Sequence, residues 1–234
     1  MKLSKLFYIT CNLIYKEKGE SVNYQLAKKE DTLFIFFQPT NSKKDWFSNF
    51  AFLKKPYKDM KVKYKVHGGF LKCWKEAKED VVAAVKDGDV KKIIISGYSH
   101  GAALAMLCHE CCWFERPDIR DNIWTYGFEA PRVYGGWHIK KNIRMRWNHY
   151  IMIKNGSDIV THLPPVLFGF RHIGVQFHVG IDRHYGPIDS HRPDFIFQSL
   201  QDVDLDVDCP ELFKKLKTDD NIDIEHPWLD LKLG

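Results

Sequence analysis

The sequence predicts an α/β fold: a mostly parallel central sheet with helices on both faces. Three observations lead there. Two short runs, LFIFF at residues 33–37 and III at 93–95, are apolar throughout and lack the alternation of a strand with one wet face, so both belong in the middle of a covered sheet. Strand-like and helix-like segments alternate along the chain, and polar turns stand where the strands end. The chain has 234 residues with 44% hydrophobic content, enough for one large core and a common size for a single α/β domain.

Each element can be justified in order. Residues 3–15 form a helix or strand packed on the outside of the sheet, and residues 21–27 a short first strand. The run 33–37 breaks at Gln38-Pro39-Thr40-Asn41-Ser42. Ligands of α/β folds gather where buried strands end, which makes this loop a candidate site. Residues 64–66 lead into His67-Gly68-Gly69-Phe70, and residues 71–85 form an amphipathic helix stopped by Asp87-Gly88-Asp89. Residues 123–126 form a strand ending in GFEAPR. Residues 150–154 form another, ending at Asn155-Gly156-Ser157-Asp158. Residues 174–179 read as a last hairpin strand and 193–200 as a last helix. Aspartates at 202, 204, 206 and 208 then open an acidic stretch, read as a solvated tail or edge strand, because no glycine-turn loop supports calcium ligation.

The chemistry centres on residues 91–106, KKIIISGYSHGAALAM, which read as strand, sharp turn and helix. A G-x-S-x-G turn in that setting is a nucleophile elbow. The serine sits strained at the tip, and the two glycines let strand and helix approach without a Cβ clash. Ser99 is therefore the candidate nucleophile, with the first N–H groups of the helix beside it to hold an oxyanion. The competing reading is an ordinary strand-to-helix turn. A serine hydroxyl needs an imidazole to take its proton and a carboxylate to hold that imidazole. Asp158, in a turn after a strand, suits the acid. Spacing alone leaves the base open among His162, His172, His178, His184 and His191.

Bulk properties exclude other classes. A net charge of +5, with 35 basic residues scattered among 30 acidic ones and no basic run interleaved with aromatics, gives no nucleic-acid footprint. Six irregularly spaced cysteines do not make a disulfide framework in a chain this large, and free thiols are expected. Cys108, Cys111 and Cys112 share one helical face and read as core packing rather than a metal site. No apolar run approaches the ~18 residues of a membrane-spanning helix. The first 15 residues lack the cleavage pattern of a signal peptide, so they read as structure and a cytoplasmic location is expected.

Seven motifs in order, FFQPTNSKKDW, VHGGF, GYSHGAALA, YGFEAPRV, NGSDIVTHLPP, GFRHIG and DSHRPDFIFQSL, cover roughly residues 30–200. In these the sequence resembles the class 3, fungal-lipase-like members of the α/β-hydrolase fold. The resemblance implies a single α/β-hydrolase domain over residues 1–234, with 202–234 as an acidic C-terminal extension. It implies Ser99 as nucleophile, Asp158 as acid and His191 as base, with His184 the alternative. It also implies an oxyanion hole from the N–H of His100 and from Thr40, in a loop with Gln38-Pro39 where the family has Arg-Gly. His100 stands where an apolar residue is more usual.

The activity so implied is carboxylic ester hydrolysis on lipid esters, as a triacylglycerol lipase or esterase, with no cofactor and no metal. Phospholipase A1 chemistry would use the same atoms. A non-catalytic lipase-like binding module is the reading from another class, and intact Ser99, Asp158 and His191 argue against it. In KKDWFSNFAFL, residues 43–53, Trp46, Phe47 and Phe50 share one side of a helix. They either pack on the core or, as the resemblance implies, form a lid that meets lipid.

Overall fold

The structure, a computed structural model, describes residues 2–38, 53–57, 64–136, 146–181 and 183–203. Thr40, Trp46, Phe47 and Phe50 lie outside the described residues, as does the acidic stretch beyond Val203. The chain begins with helix α1 (Leu3–Asn12) and strands β1 (Glu17–Lys18), β2 (Asn23–Lys29), β3 (Thr32–Phe37), β4 (Lys54–Pro56) and β5 (Lys65–His67). Helix α2 (Gly68–Val85), strand β6 (Lys92–Tyr98), helix α3 (His100–Glu115) and strands β7 (Ile123–Phe128) and β8 (Tyr134–Gly135) follow. Strands β9 (Tyr150–Asn155), β10 (Phe170–Arg171) and β11 (Val175–Val179) precede helix α4 (Pro193–Val203).

A seven-stranded sheet runs in the order β1-β2-β3-β6-β7-β9-β11. Pairing is antiparallel from β1 to β3 and parallel from β3 onward. A smaller antiparallel sheet runs β10-β8-β5-β4. Alternation along the two apolar runs sets the layers of the larger sheet. Leu33, Ile35, Phe37, Ile93 and Ile95 face one core, against Trp74 and Val81 of α2 and Ala102 to Leu104 of α3. Phe34, Phe36 and Ile94 face the other, against Leu6 and Phe7 of α1 and Ile196 and Leu200 of α4. Successive side chains of a strand point to opposite faces, so wholly apolar runs are what a strand covered on both sides requires. Each fully buried Leu, Ile or Phe contributes roughly 1.5–3 kcal/mol of burial free energy.

The early segment is a helix rather than a strand, with seven of its ten residues buried. The first long strand is Asn23–Lys29, two residues later than the sequence suggests, and short β1 pairs beside it. Helix α3 is buried at every position from His100 to Cys112. It therefore has no polar face to read, and Cys108, Cys111 and Cys112 sit among the core side chains as free thiols. Residues 174–179 do not form a hairpin strand. Val175–Val179 pairs in parallel with Tyr150–Asn155. The connection over residues 156–174 is long enough to carry the chain back to the start of β9, whereas a hairpin needs only a short reversal. No helix among the described residues is long and apolar enough to cross a membrane.

Parallel register decides where chemistry collects. Phe37 pairs with Gly97 and Gly97 with Gly127, so β3, β6 and β7 end at one edge, with β9 beside β7. That edge carries Gln38, the elbow, the GFEAPR turn and the Asp158 turn.

Candidate active site

The elbow is built by close backbone approach. Ser99 has φ 56° and ψ −119°, in the sparsely populated positive-φ region, between the end of β6 and the start of α3. A Cβ on Gly97 would lie 2.2 Å from the Gly101 carbonyl oxygen, and one on Gly101 would lie 2.4 Å from the Phe37 carbonyl oxygen. Only glycine fits at either place. The Ser99 N–H donates to the Phe128 carbonyl at 2.8 Å, and the Ser99 carbonyl accepts from Ala102 N–H at 3.0 Å. These bonds tie the tip to β7 and to the helix, leaving Oγ to point outward.

His191 meets that hydroxyl: its Nε2 is 2.9 Å from Ser99 Oγ. On the other side of the ring, Nδ1 is 2.6 Å from Asp158 Oδ2. A carboxylate can only accept, so Nδ1 carries the hydrogen and Nε2 is free to take the serine proton. Asp158 is 1% exposed, and its Oδ1 accepts the Val160 N–H at 2.8 Å. Serine, histidine and buried aspartate thus stand in one hydrogen-bonded line, an arrangement in which the hydroxyl can lose its proton as it attacks an electrophile.

Several contacts hold this line. His191 ends a short turn just before α4. Tyr98 stacks on the imidazole, ring centres 5.2 Å apart, and its hydroxyl donates to the His191 carbonyl. Asn155 Nδ2 donates to the Ser190 carbonyl at 2.8 Å, and Ile159 N–H to the Pro187 carbonyl at 3.0 Å, so the Asp158 and His191 turns are stitched together. Arg132 bonds the carbonyls of His162 and Pro164, which fixes the chain leaving Asp158.

The other described histidines after Asp158 stand elsewhere. His162 Nδ1 lies 2.9 Å from the Asp158 carbonyl oxygen and His172 Nε2 lies 2.6 Å from that of Thr161. His184 is exposed, and so is His178. His100 opens α3, so its N–H is among those with no carbonyl one turn back to bond. Its side chain is buried with its ring 5.5 Å from Phe70, and burial, with His67 a smaller influence, lowers its pKa to about 4. His67 is likewise lowered to about 4 by burial. Both imidazoles are neutral at ordinary pH.

Two neighbours escaped the sequence reading. Tyr98 occupies the x of G-x-S, a place the motif leaves open. Glu129 stands in GFEAPR at the polar end of β7, and an acidic residue after an apolar strand was the signal that could have found it. It is fully buried, and its carboxyl, that of Asp158 and a nitrogen of His191 lie within 4.8 Å of one another.

Comparison with known proteins agrees with this architecture. A lipase of Rhizomucor miehei is 30% identical over 157 residues, 63% of this chain and 42% of that protein. A secreted mono- and diacylglycerol lipase of Fusarium solani is 28% identical over 163 residues, 68% of this chain and 46% of that one. The chain thus spans less than half the length of these curated relatives. In fold, the native Rhizomucor miehei lipase propeptide complex matches with a TM-score of 0.60 at 24% identity, over 81% of this chain and 66% of that chain. Residues 34–168, more than half of the sequence, match the family described as Lipase (class 3), and with its α/β-hydrolase fold the chain belongs to that family.

Proposed function

We propose that this chain is a serine carboxylic ester hydrolase acting on lipid esters, as a triacylglycerol lipase or esterase. The observation that carries the reading is the line from Ser99 Oγ through the His191 ring to Asp158, with contacts of 2.9 and 2.6 Å. In the reaction, Ser99 Oγ attacks the ester carbonyl while His191 Nε2 takes its proton. Asp158 holds the imidazole in the required tautomer and stabilises its positive charge. The tetrahedral oxyanion rests on the backbone N–H of His100 and on Thr40. His191 then returns the proton to the leaving alcohol, and water activated by the same imidazole releases the acyl group. Each oxyanion donor would be worth about 10² to 10³ in rate. The names of the Rhizomucor miehei and Fusarium solani relatives support an acylglycerol as the substrate class.

A fluorophosphonate probe together with an ester panel tests this. The protein should be labelled at Ser99 and should hydrolyse p-nitrophenyl esters and a glyceride emulsion. Ser99→Ala, folded by circular dichroism, should lose both. A folded Ser99→Ala protein that keeps its esterase activity would overturn the reading. Phospholipid cleavage outpacing glyceride cleavage would move the substrate to phospholipase A1 chemistry.

A further inference from the structure

Glu129 is placed with more constraint than a chance neighbour of the site would be. Its φ is +52°, a backbone conformation with a Cβ penalty that glycine would adopt freely. Its N–H donates to the Ile153 carbonyl at 2.9 Å, while the carbonyl of the preceding Phe128 accepts the amide of Ser99 at 2.8 Å. The backbone there is clamped between the elbow and β9. The side chain is thereby delivered, fully buried, to the back of the Asp158–His191 pair.

The chemistry at that point is two carboxyls out of water. Asp158 has its negative charge supported by the Val160 N–H and by His191. Ionised Glu129 would have weaker support: neither of its oxygens has a hydrogen-bond partner of good geometry among the described residues, and only the Asn155 amide and the charge of Lys154 favour its ionised form. The groups around it are Asp158, His191, Lys154, Tyr98 and the Asn155 backbone amide. The Tyr98 hydroxyl is already given to the His191 carbonyl, and Lys154 acts on Glu129 only through its charge. Two adjacent buried carboxyls cannot both ionise cheaply, and one proton between them removes the conflict. That proton belongs on the less supported member. Burial first, then the neighbouring Asp158 carboxyl, raise Glu129 well above the usual carboxylate range, against smaller opposing effects of the Asn155 amide and Lys154.

We propose that Glu129 is a positioning residue: its carboxyl stays protonated while the protein works and donates its O–H to the Asp158 carboxylate. It holds Asp158 in the rotamer that receives His191 Nδ1–H, and it adds no second negative charge beside the imidazole. Asp158 retains lone pairs for this bond, since each carboxylate oxygen accepts more than one donor. The inference rests on the hydrolase reading above.

The test compares Glu129→Ala with Glu129→Gln on a soluble p-nitrophenyl ester, across pH, with folding checked by circular dichroism. Glu129→Ala should lower kcat about ten-fold or more at a KM within about two-fold of wild type, the sign of a loss felt in the transition state. Glu129→Gln, which keeps a neutral donor of the same shape, should restore kcat to within about three-fold of wild type. The acid limb of its kcat/KM profile, which reports protonation of the essential base, should superpose on the wild-type limb. If Glu129 were ionised instead, its neutralisation would move that limb to lower pH by about one unit or more, and the proposal would fall. It would fall equally if Glu129→Ala kept its kcat, or if Glu129→Gln were as impaired as Glu129→Ala. Should Glu129→Ala not fold, the Glu129→Gln profile decides alone. Ser99→Ala run alongside keeps the questions apart: activity surviving in that variant sinks the hydrolase reading, whereas its loss with both Glu129 variants unaffected sinks only this inference.

Discussion

Gly101 and Phe37 meet backbone to backbone: a Cβ on Gly101 would stand 2.4 Å from the Phe37 carbonyl oxygen and 2.9 Å from that of Gln38. The first turn of α3 is thus pressed against the end of β3, and this contact sets how close the elbow lies to Phe37 and Gln38.

Gly101→Ala should therefore damage the fold as well as the activity. Neither backbone carbonyl can yield without moving a central strand, so the expected loss is about 3 kcal/mol or more. For a chain of this size that is a melting temperature lower by at least about 6 °C, or no soluble protein. Ser99→Ala, which leaves both elbow glycines in place, should melt near wild type. Thermal unfolding followed by circular dichroism checks the pair, and a Gly101→Ala protein of wild-type stability would show that the approach is looser than 2.4 Å implies.

His191→Ala should lower kcat by about four to six orders of magnitude, the usual result of removing one member of such a triad. His184 is exposed and stands in none of the contacts of Ser99 or Asp158, so His184→Ala should keep most of the activity. Steady-state hydrolysis of a short soluble ester measures both. The reverse order would move the base to His184 and leave the mechanism's class in place.

Acid should weaken this fold before it protonates its surface carboxylates. Burial, the leading cause in each case, lowers His67, His100 and His109 to about 4 and His172 to about 3. The unfolded chain takes up these protons near 6.5. Because the folded pKa lies below the unfolded one, this stability is fully present above pH 6.5 and drains as the pH falls toward 4, at ~1.4 kcal/mol per pH unit for each imidazole. Glu110 and Glu129 run the other way: burial raises both, so their contribution is present below 4.5 and shrinks as the pH rises. Four imidazoles outnumber the two carboxyls, so between pH 6 and 5 the stability falls with the pH, by up to ~1.4 kcal/mol per pH unit for each imidazole in excess. The melting temperature should fall by several degrees per unit across that window. A flat profile from pH 7 to pH 5 would show that the imidazoles take up protons inside the folded protein.

The linear chain carried the layers and the elbow in plain form. LFIFF and III are short, wholly apolar and followed by polar breaks, and short-range physics is enough to make such runs covered strands whose ends open on one edge. The elbow is equally local: Gly97, Ser99 and Gly101 lie within five consecutive residues, and the clash that demands glycine is set by the turn itself and its nearest strand. Helix α3 was legible as a helix but not in its surroundings. A helix buried on all sides has no amphipathic stripe, and nothing in Cys108-His109-Glu110 announces that Glu110 meets Arg146 at 2.8 Å or that His109 Nδ1 lies 2.9 Å from Thr125 Oγ1.

What the sequence by itself determined was the residue types, the strand-turn-helix at Ser99 and the presence of an acid and several histidines after it. Tertiary structure decided which of them meet. Spacing left His162, His172, His178, His184 and His191 as candidates, and family resemblance favoured one. Only the packing of the 189–191 turn under Tyr98 and against Asn155 puts an imidazole between Ser99 and Asp158. The direction of β11 was decided the same way, because a long connection permits either sense and only the pairing with β9 selects parallel. Glu129 is the clearest case. Its charge state depends on burial and on a second carboxyl 29 residues away in the chain, and both come into being only when β7 and β9 lie side by side.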